Sequence, residues 1–543
     1  MNLPPIFFGG GALVPQEPQR PSVKNAIRAG ERTDTSWRFE LDETAWYELV
    51  ERLRDDDEAV FLGLWCDGQA VHALFSDGDP GAESVLRPLM ASHRLDGSRY
   101  RGLSGVYPAA APFERMIRDL WGVEAMDVSD ARPLVDQGAW TVTAPLSARP
   151  VPASVRSDMY DFPAPDSVVA ERGMLFSRGP ATGGGEGPVH CRLGVAGESV
   201  RSIDILTGFA HRGLETRMAG TTLPRAAELA GRISAGSTIA HQWAFSAAVE
   251  NALGIEVSQA AEHVRAILCE IERIGTHLTW LARTAKAVGA DPVAARLFKA
   301  RERLMRVCAE TLGRRVLMDC IIPGGVTLGL SGNDRLPDEQ VAEALLALCE
   351  EGAALGATDL EEARALWMAT GLMSSVLTGH GVVPRALATA FSLSGPVGRA
   401  CGRGADFRQS MHAYGAVRIR TPVATGGDAA TRSRIRFDDI AESLRIVPAL
   451  GELLKGGDGG LELVRSLGDM AANRWEGYAA VEGPHGLVCH VVVLSGGRVE
   501  RTFLADPAAV LHMTQETVLP GCDHQGFDAI RCSFGVSAAA VDL

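Results

Sequence analysis

Apolar residues recur at steps of three and four along much of the second half of the chain. The clearest run begins near Glu256, where one apolar stripe is formed by Val264, Ile267, Leu268, Ile271, Ile274, Leu278 and Leu281. The same spacing predicts helices at about 292–312, 337–352, 360–370 and 437–454. Residues 232–254 also read as a helix-like run, which opens with Ser234 and Ser237. A helical bundle is therefore the predicted architecture of this region.

Residues 35–140 show a mixed pattern. The helix-like segment ETAWYELVERLRDDD precedes two strand-like segments, AVFLGLWC and QAVHALFS, which are joined by an Asp67-Gly68 turn signal. The segment YPAAAPFERMIRDLWG then combines helical spacing with a glycine stop. We predict a small α+β domain here, so the whole chain is assigned to the α+β class.

Segments rich in proline and glycine mark the predicted domain boundaries. Residues 1–34 lack periodicity and predict an extended arm, and the repeated prolines of residues 141–170 predict a linker. Residues 171–543 form the second domain. Two hairpins are predicted within it: HCRLGVAGESVRSIDILTG turns at Ala196-Gly197, and GLVCHVVVLSGGRVERTFLA turns at Gly496-Gly497.

Charge and cysteine spacing exclude several classes of protein. The formal net charge of −14 argues against a general nucleic-acid binder, because phosphate binding requires a basic surface. No two of the ten cysteines form a C-x-x-C pair, which excludes the usual local zinc and iron–sulfur frameworks. We expect reduced thiols and a cytoplasmic protein. No apolar run of about eighteen residues is present, so partner chains would hold it at a membrane.

Five motifs occur in order in the second domain: GFAHRGLE (208–215), EIERIGTHL (270–278), RRVLMDCIIPGGV (314–326), GDAATRSRIR (427–436) with ESLRIV (442–447), and EGPHG (482–486). They resemble the large subunit of membrane-bound, energy-converting nickel–iron hydrogenases and the D-type, quinone-site subunit of NADH:quinone oxidoreductase (complex I). The first domain is similar to the C-type subunit of complex I. One chain that fuses both parts resembles the large subunits of the formate-hydrogenlyase type.

The resemblance implies where a metal centre would lie. In the hydrogenases, cysteines stand at the positions of Ser234 and Ser237, and a second pair near the carboxyl end corresponds to Ser537 and Ala540. Nickel and low-spin iron need soft thiolate ligands, whereas a serine hydroxyl is a hard donor that stays protonated, and alanine donates nothing. We therefore expect no nickel–iron centre, no metal ligand and no cofactor bound by this chain alone.

Complex I uses the corresponding pocket for a quinone headgroup, which a tyrosine and a hairpin histidine contact. Ala235 stands at the position of the tyrosine and Pro188 at that of the histidine, while His190 matches a histidine of the hydrogenase-type hairpin. The glycines at 183–185 predict a mobile hairpin tip. A quinone or another small acceptor in an altered pocket remains one interpretation.

The resemblance also selects candidate residues, although it assigns no catalytic residue. Candidates for the cavity are Ser234, Ser237, His190, His211, Arg212, Glu215, His241 and Ser537. Candidates for a structural polar network are Glu272, Arg273, His277, Asp406, Arg408, Asp428 and Arg432, since carboxylate–guanidinium pairs stabilise a cavity wall. For Ser234, Ser237 and Ser537, the alternative to a role in the cavity is that small side chains allow close packing. In EGPHG, His485 replaces the usual arginine with a side chain that titrates near pH 6.5.

The implied function is that of a peripheral-arm oxidoreductase subunit. Its expected partners are a small iron–sulfur subunit similar to the B-type subunit of complex I, a ferredoxin-like subunit and antiporter-like membrane subunits. These would place it on the inner face of the cell membrane. The alternative is a non-catalytic scaffold that couples a partner's redox chemistry to ion-pumping membrane subunits.

Overall fold

The first domain is built on a five-stranded mixed sheet. The computed structural model describes residues 22–56, 59–78, 87–153, 166–181, 187–328, 338–455, 462–468 and 473–543. The sheet has the order β1-β2-β5-β4-β3, with β1 (Glu31–Arg32), β2 (Arg38–Leu41), β3 (Val60–Cys66), β4 (Ala70–Ser76) and β5 (Pro88–Arg94). Within this sheet, the described pair β2 and β5 is parallel and the other neighbouring strands are antiparallel. At the predicted β3–β4 turn, the Asp67 carboxylate accepts hydrogen bonds from the N–H groups of Gln69 and Ala70, each at 2.8 Å.

Three helices complete this domain: α1 (Val23–Arg28), α2 (Glu43–Leu53) and α3 (Ala111–Trp121), with a short parallel pair formed by β6 (Arg99–Arg101) and β7 (Glu124–Met126). Helix α3 ends at Gly122, whose φ of 69° suits the predicted glycine stop. Residues 22–34 differ from the predicted extended arm, because Val23 and Ile27 are buried in the core of the first domain. Residues 1–21 of that arm lie outside the described residues.

The described parts of the proline-rich segment contain little regular structure. Strands β8 (Val142–Thr143) and β9 (Val151–Pro152) pair antiparallel, and α4 (Asp166–Ala170) follows. The part at 154–165 lies outside the described residues.

Helices dominate the second domain. Together with the sheets of the chain, they confirm the predicted α+β class. They are α5 (Leu214–Met218), α6 (Leu223–Ala230), α7 (Thr238–Leu253), α8 (Gln259–Val288), α9 (Asp291–Leu312), α10 (Asp338–Leu355), α11 (Glu361–Ala369), α12 (Gly371–Leu377), α13 (Arg385–Ala390), α14 (Gly395–Ala400), α15 (Ala429–Lys455), α16 (Ala508–Val518), α17 (Phe527–Cys532) and α18 (Ala539–Asp542). In the part of the chain that the structure describes, no helix is long and apolar enough to cross a membrane.

Helix α8 lies at the centre of the bundle and packs against α7, α9, α15 and α17. The Ser258 side chain caps its first turn by accepting from the Ala261 N–H, and Gly289 ends it in the left-handed conformation. Every residue of the predicted apolar stripe is buried. The polar residues Arg265, Glu270 and Arg273 are buried as well, so α8 has no solvated polar face along its middle.

Two three-stranded sheets flank the helices. Strands β10 (Met174–Arg178), β11 (His190–Ala196) and β12 (Ser199–Leu206) form one, and β15 (Arg474–Gly483), β16 (Gly486–Ser495) and β17 (Arg498–Ala505) form the other. A minimal hairpin joins β13 (Ile321–Ile322) to β14 (Gly325–Val326). Leu62 and Leu74 of the first domain pack with Val491 and Phe503, so the two domains meet sheet against sheet.

Two element boundaries differ from the sequence prediction. Helix α15 begins at Ala429 rather than near 437, because the Asp428 carboxylate accepts from the Thr431 N–H at 2.7 Å and caps the helix there. Ser234 and Ser237 do not lie on a helix but precede α7, with Ser237 at its cap position. The predicted mobile hairpin tip at 183–185 lies outside the described residues.

The buried Arg265–Glu250 pair gives a direct test of this packing. Glu250 accepts from both terminal nitrogens of Arg265, at 2.6 and 2.9 Å, and from the Gly324 N–H at 2.7 Å. We expect Glu250→Gln to lower the free energy of unfolding by about 3 kcal/mol, because it leaves a buried guanidinium without its main counter-charge.

Urea denaturation of the purified chain measures this effect. The matched control is Glu310→Gln on the exposed side of α9, which should change the free energy of unfolding by less than about 0.5 kcal/mol. Equal stability of the two variants would contradict the assignment of this pair.

Candidate functional site

The carboxyl-terminal segment is hydrogen-bonded to the GFAHRGLE motif. The Asp542 carboxylate accepts from the N–H groups of Gly208 at 2.6 Å and Ala210 at 2.8 Å. The Leu543 carbonyl oxygen accepts from the N–H groups of Arg212 and Gly213 at 2.7 and 2.8 Å. Residues 208–213 therefore position the tail at the level of the backbone.

The Arg212 side chain extends this connection to the serine loop, residues 232–237. Its guanidinium donates to the carbonyl oxygens of Arg232, Ile233 (2.9 Å) and Ala539 (2.8 Å). Ile233 immediately precedes Ser234, and Ala539 immediately precedes Ala540. The two segments that the resemblance selected as ligand positions thus lie next to each other, and they carry hydroxyl and methyl side chains there.

The serine loop is closely packed. Ser234 and Ser237 are buried, and the Ser237 N–H donates to the Ser234 carbonyl oxygen at 3.1 Å. The Ser237 hydroxyl has no hydrogen-bond partner among the described residues. A Cβ atom at Gly236 would lie 2.9 Å from Nε2 of His485, so the glycine allows the EGPHG motif to approach the loop.

His485 does not titrate near pH 6.5 as its residue type led us to expect. It is buried, and this burial, together with the nearby Arg436, lowers its pKa to about 3. The imidazole is therefore neutral at physiological pH, because the charged form is poorly solvated there.

Two arginines of α15 contact the segment that leads to the tail. Arg432 donates to the Ser533 hydroxyl at 3.0 Å, and its guanidinium lies 3.9 Å from the centre of the Phe534 ring. Arg436 donates to the Phe534 carbonyl oxygen at 2.7 Å. No carboxylate accepts a described hydrogen bond from either guanidinium, and burial lowers the pKa of Arg432 to about 9 and that of Arg436 to about 10.

Asp428 and Arg432, both candidates for the polar network, form no ion pair with each other in the described structure. Asp428 accepts from the N–H groups of Thr431 and Gly379, each at 2.7 Å, and so uses its carboxylate to cap α15. Arg432 instead donates to the carbonyl oxygens of Gly381 and Gly427, at 2.7 and 2.8 Å.

Asp406, Arg408 and Arg273 take part in buried ion pairs. Asp406 accepts from Arg408 with both carboxylate oxygens, at 2.9 and 2.7 Å, and Arg408 also donates to Glu270 at 3.0 Å. Arg273 donates to the carbonyl oxygens of Glu482 and Gly483, which fixes the EGPHG strand against α8. These contacts support a structural role for Asp406, Arg408 and Arg273.

His277 extends the same buried network, because Asp439 lies 3.8 Å from Arg408. Its Nδ1 lies 3.1 Å from a terminal nitrogen of Arg436, and its Nε2 lies 3.3 Å from Asp439, which Arg399 binds with both terminal nitrogens. Sequence reasoning missed Glu270, Arg399 and Asp439. The i, i+3 spacing of Glu270 and Arg273 was the only local signal for any of them.

Glu272 binds the first turn of α7 across the bundle. Its carboxylate accepts from the N–H groups of Ile239 at 2.9 Å and Ala240 at 3.2 Å. Burial raises its pKa to about 7 even though these N–H groups favour the ionised form.

His241 lies in a chain of buried titratable groups. Its Nδ1 is 3.1 Å from Nε2 of His490, and its Nε2 is 3.1 Å from the Asp506 carboxylate. Glu250, on the same helix, pairs with Arg265 instead of His241.

The remaining cavity candidates are distributed around the tail. His211 contacts the Asp542 carbonyl oxygen through Nδ1, and the Ser537 hydroxyl accepts from the Ala539 N–H at 3.3 Å. His190 is buried at the start of β11, opposite Leu206. Glu215 accepts from the Leu504 N–H at 3.3 Å and lines a cavity between the domains, where burial raises its pKa to about 7.

The described residues bring together few side chains that could act as metal ligands. Within the described ranges, no group of three or more His, Cys, Asp or Glu side chains could hold a metal ion. Nine described cysteines are buried, and none of these nine forms a disulfide.

Comparison with known proteins supports the resemblance drawn from the motifs. The family described as "Respiratory-chain NADH dehydrogenase, 49 Kd subunit" matches residues 287–467. The C/D fusion subunit of NADH-quinone oxidoreductase from Bacteroides thetaiotaomicron is 27% identical over 405 residues, which cover 71% of this chain and 74% of that protein.

Two proteins of Escherichia coli are also similar. Formate hydrogenlyase subunit 5 is 27% identical over 370 residues, covering 66% of this chain and 62% of that protein. Hydrogenase-4 component G is 26% identical over 452 residues, covering 80% of this chain and 74% of that protein. The chain is thus similar to complex I C/D fusion subunits and to subunits of hydrogenase complexes.

The contact between the tail and the serine loop can be tested through Arg212. We expect Arg212→Ala to accelerate amide hydrogen exchange at Val541 and Asp542 by about tenfold or more, because charge-assisted hydrogen bonds contribute about 1.5–3 kcal/mol each. Hydrogen exchange followed by mass spectrometry measures this.

Arg225→Ala is the matched control, since Arg225 is exposed and pairs only with Glu228 of its own helix in the described structure. It should leave exchange in the tail unchanged. Unchanged exchange in Arg212→Ala would show that the tail is held by other contacts.

Proposed function

We propose that this chain is a redox subunit in the peripheral arm of a membrane-bound complex related to complex I and to energy-converting hydrogenases. It receives electrons from a partner iron–sulfur subunit and passes them to a quinone or another small acceptor. The similarity to subunits of both kinds of complex supports this proposal.

The observation that carries the proposal is the Arg212 bridge between the serine loop and the tail. The bridge brings together the positions where the hydrogenases have thiolates. Here Ser234, Ser237, Ser537 and Ala540 stand there, and hard hydroxyls and a methyl group do not suit nickel or low-spin iron. The pocket therefore works without a nickel–iron centre.

Unpaired donors on the serine loop and on the arginines that contact the tail segment favour an acceptor that carries oxygen atoms. Among the described residues, the Ser237 hydroxyl, one terminal nitrogen of Arg432 and Nε of Arg436 are buried without a hydrogen-bond partner. Buried donors are normally paired, so a bound molecule with carbonyl oxygens would satisfy them. A quinone has such oxygens and takes up two electrons and two protons.

The proposed partners follow from the same relationship. A small iron–sulfur subunit similar to the B-type subunit of complex I would donate electrons, a ferredoxin-like subunit would supply them, and antiporter-like membrane subunits would hold the assembly on the inner membrane face. A non-catalytic scaffold is the competing function, and it requires no working pocket.

A bulky residue in the serine loop separates these functions. We expect Ser234→Phe to reduce electron transfer by the purified complex at least about a hundredfold, because a buried aromatic ring would occupy space beside the Arg212 bridge. The electron donor-to-quinone rate and the protein composition of the complex are measured on the same preparation.

Ser234→Ala is the matched control. It keeps the space and removes only the hydroxyl, so the complex should assemble and keep most of its activity. Full activity in an assembled Ser234→Phe complex would contradict the redox proposal and favour the scaffold.

A further inference from the structure

A cavity of about 450 Å³ lies between the two domains, and its described lining includes no residue of the serine loop. Helix α3 contributes Phe113, Met116 and Ile117, and the facing wall includes Val491 and Phe503 of the carboxyl-terminal sheet. This volume is in the range of sites for small ligands, and an apolar wall with few polar groups is typical of them.

The charged groups on the wall are not balanced. Five carboxylates line the cavity, namely Asp67, Glu215, Glu476, Glu500 and Asp506, against three guanidiniums, Arg38, Arg474 and Arg501. The excess of negative charge favours a cationic ligand over an anionic one.

Four of the five carboxylates already have partners. Arg38 binds Glu476 at 2.8 Å, Arg474 binds Glu500 at 3.2 Å, and Arg501 binds Asp67 at 3.0 Å. Asp506 lies 3.1 Å from Nε2 of His241.

Glu215 is the exception. Its described contact is the Leu504 N–H at 3.3 Å, and no cationic side chain pairs with it among the described residues. Burial without a counter-charge raises its pKa to about 7. A bound cation would restore the ionised carboxylate, since opposite charges in a poorly solvated site attract strongly.

Aromatic rings add to this preference for a cation. Trp65 and Phe503 stack with their ring centres 4.3 Å apart, and both line the cavity with Phe113 and Trp121. The faces of such rings attract ammonium groups as well as apolar chains.

We propose that the interdomain cavity binds a lipophilic amine, with its ammonium group on the Glu215 carboxylate and its apolar body between α3 and the carboxyl-terminal sheet. The cavity wall includes Glu215 and Ala540, which also belong to the candidate site, but the proposal rests on the composition of this wall and does not depend on the redox proposal. A ligand there contacts both domains, because the walls come from each of them.

The test compares three probes with one apolar body: n-decylamine, n-decanol and n-decanoate, each titrated below its micellar concentration into the purified full-length chain. Isothermal titration calorimetry measures affinity, and tryptophan fluorescence reports on Trp65 and Trp121. We expect decylamine to bind at least about tenfold more tightly than decanoate.

Glu215→Gln isolates the carboxylate. It should weaken decylamine binding about tenfold and change decanol binding by less than about twofold, because only the ionic contact is lost. The matched control, Glu228→Gln on the exposed side of α6, should change neither affinity. Met116→Trp adds bulk to the wall and should weaken the binding of all three probes.

Three results would overturn the proposal: decanoate binding as tightly as decylamine, Glu215→Gln weakening all probes equally, or Met116→Trp leaving every affinity unchanged. Circular dichroism of each variant confirms that a loss of binding is not a loss of fold.

Discussion

One guanidinium holds together the two chain segments on which the candidate site depends. Arg212 donates to carbonyl oxygens of residues 232 and 233 and of residue 539, and it does so with a planar fork that fixes direction as well as distance. In a nickel–iron hydrogenase, metal–thiolate bonds would connect the equivalent segments. In this chain, hydrogen bonds from Arg212 connect the two segments, and Asp542 binds the backbone of residues 208 and 210.

The shell around this contact is unusually polar for a protein core. Helix α8 is buried on both faces, and its charged side chains bind Glu250, Arg408, backbone carbonyl oxygens and backbone N–H groups. Such networks make it costly to remove one member, because the remaining charge stays buried. They hold α8 in place through contacts that involve none of the side chains at residues 234, 237, 537 and 540.

Local periodicity was sufficient to predict α8 and its apolar stripe, and the turn residues at 196–197 and 496–497 correctly predicted both hairpins. It could not show that the polar face of α8 is also buried, because a hydrophobic pattern records one contact surface and carries no information about ion pairs from distant segments. Periodicity also could not place the start of α7. This helix begins at Thr238, after both serines, where Glu272 from another helix binds its first turn. The pKa of His485 could not be predicted from the sequence either, because it is lowered by burial, which no local pattern reveals.

The central claim is that the hydroxyl and methyl groups at residues 234, 237, 537 and 540 leave this pocket without a nickel–iron centre. Elemental analysis of the purified, fully assembled complex by inductively coupled plasma mass spectrometry tests it most directly. The account predicts nickel far below one atom per copy of this chain, even after expression in nickel-supplemented medium. About one nickel per chain, retained through gel filtration, would contradict it.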